Sequence, residues 1–311
     1  MPLDPVLQAI ANANRQSGEG RDVSQLSVEE ARQGYDAIAA FGGTAPELAS
    51  VVDRSIPGPA GEIPIRVYRP QGDGPFPTVV FFHGGGWVIG SLDSHDPLAR
   101  HLAALTPAVT VAVDYRLAPE NPFPSAADDA WAATSWVAAN GEELGSDTSR
   151  LALAGDSAGG NLVAVTSQRA RLEGGPDIAF QLLIYPTLDA SLEHPSITEN
   201  AEGPFLTRRT MEWFFQHYTG GQADASDPRL SPLSAPDLSG LPPALILTAE
   251  CDPLRDEGEA YGRRLEEAGV TAKVHRYDGM AHVFLQLAGV VPQGAEAIQE
   301  CAVALRSALG G

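Results

Sequence analysis

The run LALAGDSAGGNLVA, residues 151–164, constrains the fold of this chain more than any other stretch. Residues 151–154 are apolar and read as a short buried strand. Gly155-Asp156-Ser157-Ala158-Gly159 turns the chain, and residues 158–173 read as a helix. A serine flanked by glycines two positions away, set on a strand-to-helix turn, is the G-x-S-x-G pattern in the context its mechanism requires. The turn is tight, so bulk must be absent on both sides. It lifts the hydroxyl over a sheet, at the positive end of the following helix. The Ala158 N–H then points toward a developing oxyanion. The competing reading is a turn serine with no chemistry, and the strand and helix around it weigh against that.

The rest of the chain has the rhythm such a turn demands. Short apolar runs at 51–56, 63–68, 79–82, 109–113, 151–154, 180–185, 244–248 and 272–277 predict strands. Residues 93–105, 124–139, 158–173, 254–268 and 295–309 predict the helices between or after them. The first two strands are separated by the turn-rich PGPAGE and predict a hairpin. Strands alternating with helices predict an α/β protein with a mostly parallel central sheet and helices on both faces. Residues 1–45 read as helical and polar, with a break at Gly42-Gly43. Residues 188–220 hold no clear strand but contain the aromatic stretch MEWFFQHY. These two segments predict a helical cap over the strand ends. The catalytic domain would then span 46–187 and 221–311.

His83-Gly84-Gly85-Gly86-Trp87 follows a buried strand. Consecutive glycines let backbone N–H groups converge with no side chains in the way. Gly84, Gly85, Gly86 and Ala158 are therefore the candidate oxyanion-hole donors. A phosphate loop is the alternative, but neither the Walker nor the dinucleotide pattern of glycines is present. His83 reads as loop support rather than as a base. Trp87 could line an acyl pocket or pack the loop, and the sequence does not separate the two.

A base and an acid should follow the serine in the order acid, then histidine. His194 and His217 precede the expected acid, and His275 lies within a strand. His282, in DGMAHVF, sits on a glycine-containing loop after the last strand, where a base can reach the serine. Asp252 falls at the end of the strand ALILTAE and can hold the His282 tautomer. Its plain alternative is to cap the helix that follows. Glu250, Asp256, Glu257 and Asp278 are lesser candidates for the acid.

Five blocks now stand in order: HGGGW (83–87), YRLAPE (115–120), GDSAGG (155–160), DPLRDEG (252–258) and His282. Together they resemble the hormone-sensitive-lipase-like esterases, bacterial family IV, in the GDSAG form. The resemblance implies an α/β-hydrolase core with a helical cap, and hydrolysis of short- to medium-chain carboxylic esters without a cofactor. It implies Ser157, Asp252 and His282 as the catalytic triad. Arg116 and Glu120 would support the core near the glycine loop. Trp87, Trp213 and Phe214 are candidates to line the acyl pocket, although an aromatic stretch at helical spacing also suits a packed cap. The same triad could act on amides or lactones, or as a formamidase. A non-catalytic small-molecule receptor on this fold is the remaining alternative, weakened because such proteins usually lose a triad member.

Composition narrows the partners. Twenty basic against forty acidic residues give a net charge of -20, which repels nucleic acid and anionic membrane surfaces. No run of about 18 apolar residues predicts a membrane span, and the N-terminus does not read as a signal peptide. The two cysteines, Cys251 and Cys301, make neither a disulfide framework nor a metal cluster, and Cys251 reads as a small buried apolar residue. The expectation is a cytoplasmic enzyme with a small-molecule ester substrate and no metal. A homodimer through the last strand and C-terminal helix is a family-based expectation.

Overall fold

The computed structural model describes residues 2–17 and 21–310. Eight strands form one sheet: β1 (Ser50–Gly58), β2 (Gly61–Arg69), β3 (Phe76–Phe82), β4 (Val109–Val113), β5 (Ser146–Asp156), β6 (Phe180–Ile184), β7 (Ala244–Cys251) and β8 (Ala272–Ala281). Their order is β1-β2-β4-β3-β5-β6-β7-β8. The β1–β2 hairpin pairs antiparallel, and β2 joins β4 antiparallel. From β4 to β8 every pairing is parallel. This is an α/β-hydrolase fold.

The alternation of side chains along the strands builds two cores. Val80 and Phe82 face one layer with Leu151 and Leu153, while Val79 and Phe81 face the other with Ala152 and Ala154. Helices α4 (Ser125–Ala139), α6 (Ala158–Glu173) and α9 (Arg255–Glu267) bury residues such as Ala130, Leu162 and Leu265 in the first core. Helices α3 (Asp96–Leu105) and α10 (Pro292–Ala308) bury Leu98, Leu102, Ile298 and Cys301 in the second. Both faces covered by helices explains why β3, β4 and β6 are buried throughout rather than alternating. A one-turn helix α5 (Gly141–Leu144) precedes β5.

Most strands run past their predicted ends, β5 and β8 among them through irregular pairing. β5 begins at Ser146, because Ser146 and Asp147 pair with Phe76 and Pro77 before a register shift. β8 continues to Ala281, where it pairs with Cys251 after another shift. His282 therefore follows directly on a strand end. Cys251, read above as buried, is half-buried at this irregular edge.

The N-terminal segment is less continuous than its polar helical pattern suggests. It divides into α1 (Pro5–Ser17), a 3₁₀ turn Val23–Gln25, α2 (Val28–Asp36) and a second 3₁₀ turn Ala37–Phe41. Residues 1 and 18–20 of that prediction lie outside the described residues. Ser27 and Glu30 form a reciprocal capping box that starts α2. Residues 188–220 carry the short α7 (Pro195–Glu199) and α8 (Arg208–Thr219). Asp22 accepts hydroxyl hydrogen bonds from Thr207 (2.5 Å) and Thr210 (3.0 Å), joining the N-terminal segment to the start of α8. Among the described residues, no helix is long and apolar enough to cross a membrane.

Candidate active site

The order of the sheet sets the place. The connection after β3 runs to β4 on one side and the connection after β5 runs to β6 on the other, so a crevice opens between β3 and β5 at the strand carboxyl ends. The loop after β3 and the turn after β5 meet there.

The turn after β5 is strained. Ser157 has φ 54° and ψ -119°, outside the basins that non-glycine residues favour. Its N–H is held by the Ile184 carbonyl at 2.9 Å, and its carbonyl accepts from Thr187 and Asn161. The flanking glycines are required by contact: a Cβ on Gly159 would lie 1.9 Å from the Phe82 carbonyl oxygen, and one on Gly155 2.5 Å from Gly159.

The structure brings Ser157, His282 and Asp252 into one line. The Ser157 hydroxyl lies 3.0 Å from His282 Nε2, and His282 Nδ1 lies 2.7 Å from Asp252 Oδ2. A carboxylate only accepts, so Nδ1 carries the proton and Nε2 is left to accept from the serine. All three side chains are buried. Asp252 Oδ1 meanwhile accepts the Leu254 N–H at 2.9 Å. Asp252 thus meets His282 through Oδ2, while Oδ1 closes a turn onto Leu254; it does not cap the helix that follows, whose N-cap is Leu254 with no side-chain cap hydrogen bond. The other carboxylates are engaged elsewhere. Glu250 accepts the Gly279 N–H, Asp256 pairs with Arg255, and Asp278 lies near Arg276. Glu257 is buried against the Leu188 N–H, and burial raises its pKa well above the usual carboxylate range.

The glycine loop is fixed one peptide at a time. Gly84 N–H donates to Asp156 Oδ1 at 3.0 Å and lies 3.3 Å from His95 Nε2, so this amide is already engaged. Gly85 and Gly86 line the cavity in front of Ser157. Gly85 (φ 113°) and Gly86 (φ 58°) hold a path that side chains rarely follow. The Gly85 carbonyl accepts from both Val88 and Ile89. His83 Nδ1 donates to the Gly84 carbonyl at 2.8 Å, while Tyr115 donates to the His83 carbonyl at 2.7 Å. Burial, with the neighbouring His95, pushes the His83 pKa down to about 3, so its ring is neutral.

Aromatic residues close the front. Phe214 lies so near Gly86 that a Cβ there would come within 2.1 Å of its ring. Trp87 stacks on Tyr218, with ring centroids 4.3 Å apart and an interplanar angle of 9°. The cavity of about 90 Å³ is lined by Ser157, His282, Trp87, Phe214, Phe215 and Met211, among others. Trp213 does not line it. It sits one position round the helix from Phe214 and packs edge-on against His217, four residues along, at 4.4 Å.

Three contributions from α2 and the turn before it escaped the sequence reading. Val23 and Tyr35 also line the cavity. Arg32 donates to the Val88 and Ala118 carbonyls, each at 2.9 Å, and grips the Glu120 carboxylate with two nitrogens. This clamp ties α2 to the chain leaving the glycine loop and gives Glu120 its partner. Arg116 is bidentate with the buried Asp129. Nothing in the local pattern of α2 signals any of this, because the partners are more than fifty residues away.

A model of a family described as the alpha/beta hydrolase fold matches residues 79–286. A carboxylesterase of Mycobacterium tuberculosis, NlhH, is 47% identical over 291 residues, covering 92% of this chain and 84% of its own. An ethyl acetate hydrolase of Pseudomonas putida is 39% identical over 99% of this chain and 100% of its own length. A hyperthermophilic esterase from the archaeon Pyrobaculum calidifontis superposes with a TM-score of 0.91 at 41% identity, with 99% of each chain covered. The chain belongs to the hormone-sensitive-lipase-like carboxylesterases, bacterial family IV, of the α/β-hydrolase superfamily. It is a carboxylic ester hydrolase.

Proposed function

We propose that Ser157, His282 and Asp252 hydrolyse short- to medium-chain carboxylic esters through an acyl-enzyme. The observation that carries this reading is the unbroken hydrogen-bond line from the Ser157 hydroxyl through His282 to Asp252, at 3.0 and 2.7 Å. His282 Nε2 takes the serine proton as Oγ attacks the ester carbonyl. Asp252 holds the tautomer and stabilises the imidazolium that forms. His282 then gives its proton to the leaving alcohol. In the second half, His282 deprotonates a water that attacks the acyl carbonyl, and Ser157 departs with the proton returned to it.

The oxyanion donors in this reading are the N–H groups of Gly85, Gly86 and Ala158. Gly84, whose N–H is already bound to Asp156, shapes the loop instead. Loss of one such donor typically costs about 3–4 kcal/mol of transition-state stabilisation. Residues 1–45 and 188–220 act as the cap. The support is that Val23, Tyr35, Met211 and Phe214 all border the same cavity. Trp87 and Phe214 set the length of the acyl group, and a cavity of about 90 Å³ suits a short one. The two cysteines are unpaired, which suits a reducing, cytoplasmic setting.

Ser157→Ala should abolish hydrolysis of p-nitrophenyl butyrate while the far-ultraviolet circular dichroism spectrum is unchanged. Turnover at the wild-type rate in that variant would end the proposal.

A further inference from the structure

Asp156 is an ionisable side chain with no exposed surface, and its two oxygens point to different loops. Oδ1 accepts the Gly84 N–H. Oδ2 accepts from Gln286 Nε2 at 2.7 Å. Gln286 stands four residues after His282, in the turn that follows β8, with its own N–H on the Val283 carbonyl. Its other amide atom, Oε1, accepts the Tyr185 hydroxyl at 2.5 Å. Tyr185 follows β6, and its N–H is held by the Leu247 carbonyl of β7. The His95 ring completes the nest: Nε2 lies 3.3 Å from Asp156 Oδ2 and Nδ1 2.8 Å from the Ser94 hydroxyl. Tyr185, Gln286, Asp156 and His95 are all buried.

The consequence is geometric. An amide side chain cannot reverse here without placing its NH₂ against the Tyr185 hydroxyl and its oxygen against the Asp156 carboxylate. Gln286 therefore reads both partners in one orientation, and it fixes the plane of the Asp156 carboxylate. That plane decides where the Gly84 N–H points, and the peptides of Gly85 and Gly86 follow from it along the chain. The loop bearing His282, the turn bearing Ser157 and the glycine loop are thereby tied by one side chain.

We propose that Gln286, backed by Tyr185, is a positioning residue for ester hydrolysis. Through Asp156 it sets the Gly84 peptide so that the next two amides face the oxyanion. It does not touch the substrate: Gln286 and Asp156 are absent from the residues lining the cavity. This inference rests on the triad reading above, and the test separates the two. Active sites are first counted with a fluorophosphonate, which reports reaction at Ser157 whatever Gln286 does.

Gln286→Met keeps the length of the side chain and removes its contacts with Asp156, Tyr185 and the His95 ring. Per titrated active site, kcat for p-nitrophenyl butyrate should fall at least fivefold with KM within twofold. The inhibition constant of a short alkyl boronic acid, which forms a tetrahedral adduct on Ser157, should rise by the same factor as kcat/KM falls. Tyr185→Phe, which removes only the hydroxyl, should lower kcat at least twofold in the same manner, and it decides the matter should Gln286→Met not fold. The proposal is overturned if kcat stays above these limits, or if the loss lies in KM, whatever happens to the melting temperature. A merely structural glutamine would lower Tm and leave both the kcat and the boronate affinity per active site alone.

Discussion

Behind the glycine loop the chain buries polar groups, and in front of it aromatic rings. On the rear side Asp156, His95, His83 and Tyr115 meet the loop backbone through hydrogen bonds of defined direction, and Gln286 backs Asp156 from behind. On the front side Phe214, Phe215 and Tyr218 of α8 meet Gly86 and Trp87 through ring contacts. The two materials do different work. Hydrogen bonds are directional, so the rear decides where each amide points. Ring packing is not, so the front decides how much room is left and keeps water out. A buried carboxylate is tolerated at the rear because every neighbour offers a donor. Burial alone would raise the Asp156 pKa, but His95 and the Gln286 amide outweigh it and hold the carboxyl below its usual value.

This contrast can be broken from the rear first. Asp156→Asn keeps the shape, but an NH₂ replaces one oxygen and must face either Gly84 N–H or Gln286 NH₂. A drop in kcat of about tenfold to a hundredfold is expected, together with about 1–3 kcal/mol of stability from an unmatched buried donor. Steady-state kinetics and urea unfolding measure the two. The stability gap should also depend on pH. A carboxyl whose pKa is lowered on folding stabilises the native state above its unfolded value near 3.8, and that contribution is lost as pH falls through the folded value. The difference between wild type and Asp156→Asn should therefore shrink below about pH 4. A gap that is constant from pH 7 to pH 3 would remove the ionised Asp156 from the account.

The front is tested by a pair of substitutions. Gly86→Ala places a Cβ 2.1 Å from the Phe214 ring in a backbone region that disfavours it. A loss in kcat/KM of about tenfold or more is expected for p-nitrophenyl butyrate. In a Phe214→Ala background the steric part vanishes, so the same glycine substitution should cost several-fold less. Equal costs in both backgrounds would mean that α8 does not press on the loop. Phe214→Ala alone should have the smallest effect on butyrate, within several-fold. It should shift the preferred p-nitrophenyl ester to longer acyl chains, because a large ring leaves the cavity wall. An unchanged chain-length profile would exclude Phe214 as the boundary of the acyl pocket.

How much of this was legible in the sequence follows the same divide. The turn at Ser157, the glycine loop and the order of strands rest on local signals: glycine spacing, apolar runs and their alternation with helices. The structure repeats these within a few residues. Strand ends were missed at β5 and β8 because irregular pairing extended them, and pairing partners are not local. The positions of Asp252 and His282 at strand ends were readable from chain order, but the division of labour between the two Asp252 oxygens was not. The engagement of the Gly84 N–H was hidden for the same reason, since its acceptor is 72 residues away. Val23, Arg32 and Tyr35 are the extreme case. Their stretch is polar and its local pattern says only helix, so their place beside the cavity is a product of packing alone. Trp213 and Phe214 looked equivalent in the sequence, and the angle of one residue on α8 separated them.

The central claim is that Ser157 carries the acyl group between the two halves of the reaction. Its most direct test is intact-protein and peptide mass spectrometry after rapid acid quenching of the enzyme mixed with excess p-nitrophenyl butyrate. The account predicts a butyryl adduct located on the peptide containing Ser157, formed and lost at rates consistent with kcat, and absent in Ser157→Ala. Turnover with no adduct at any quench time and no labelling of Ser157 by a fluorophosphonate, or an adduct on another residue, would contradict it.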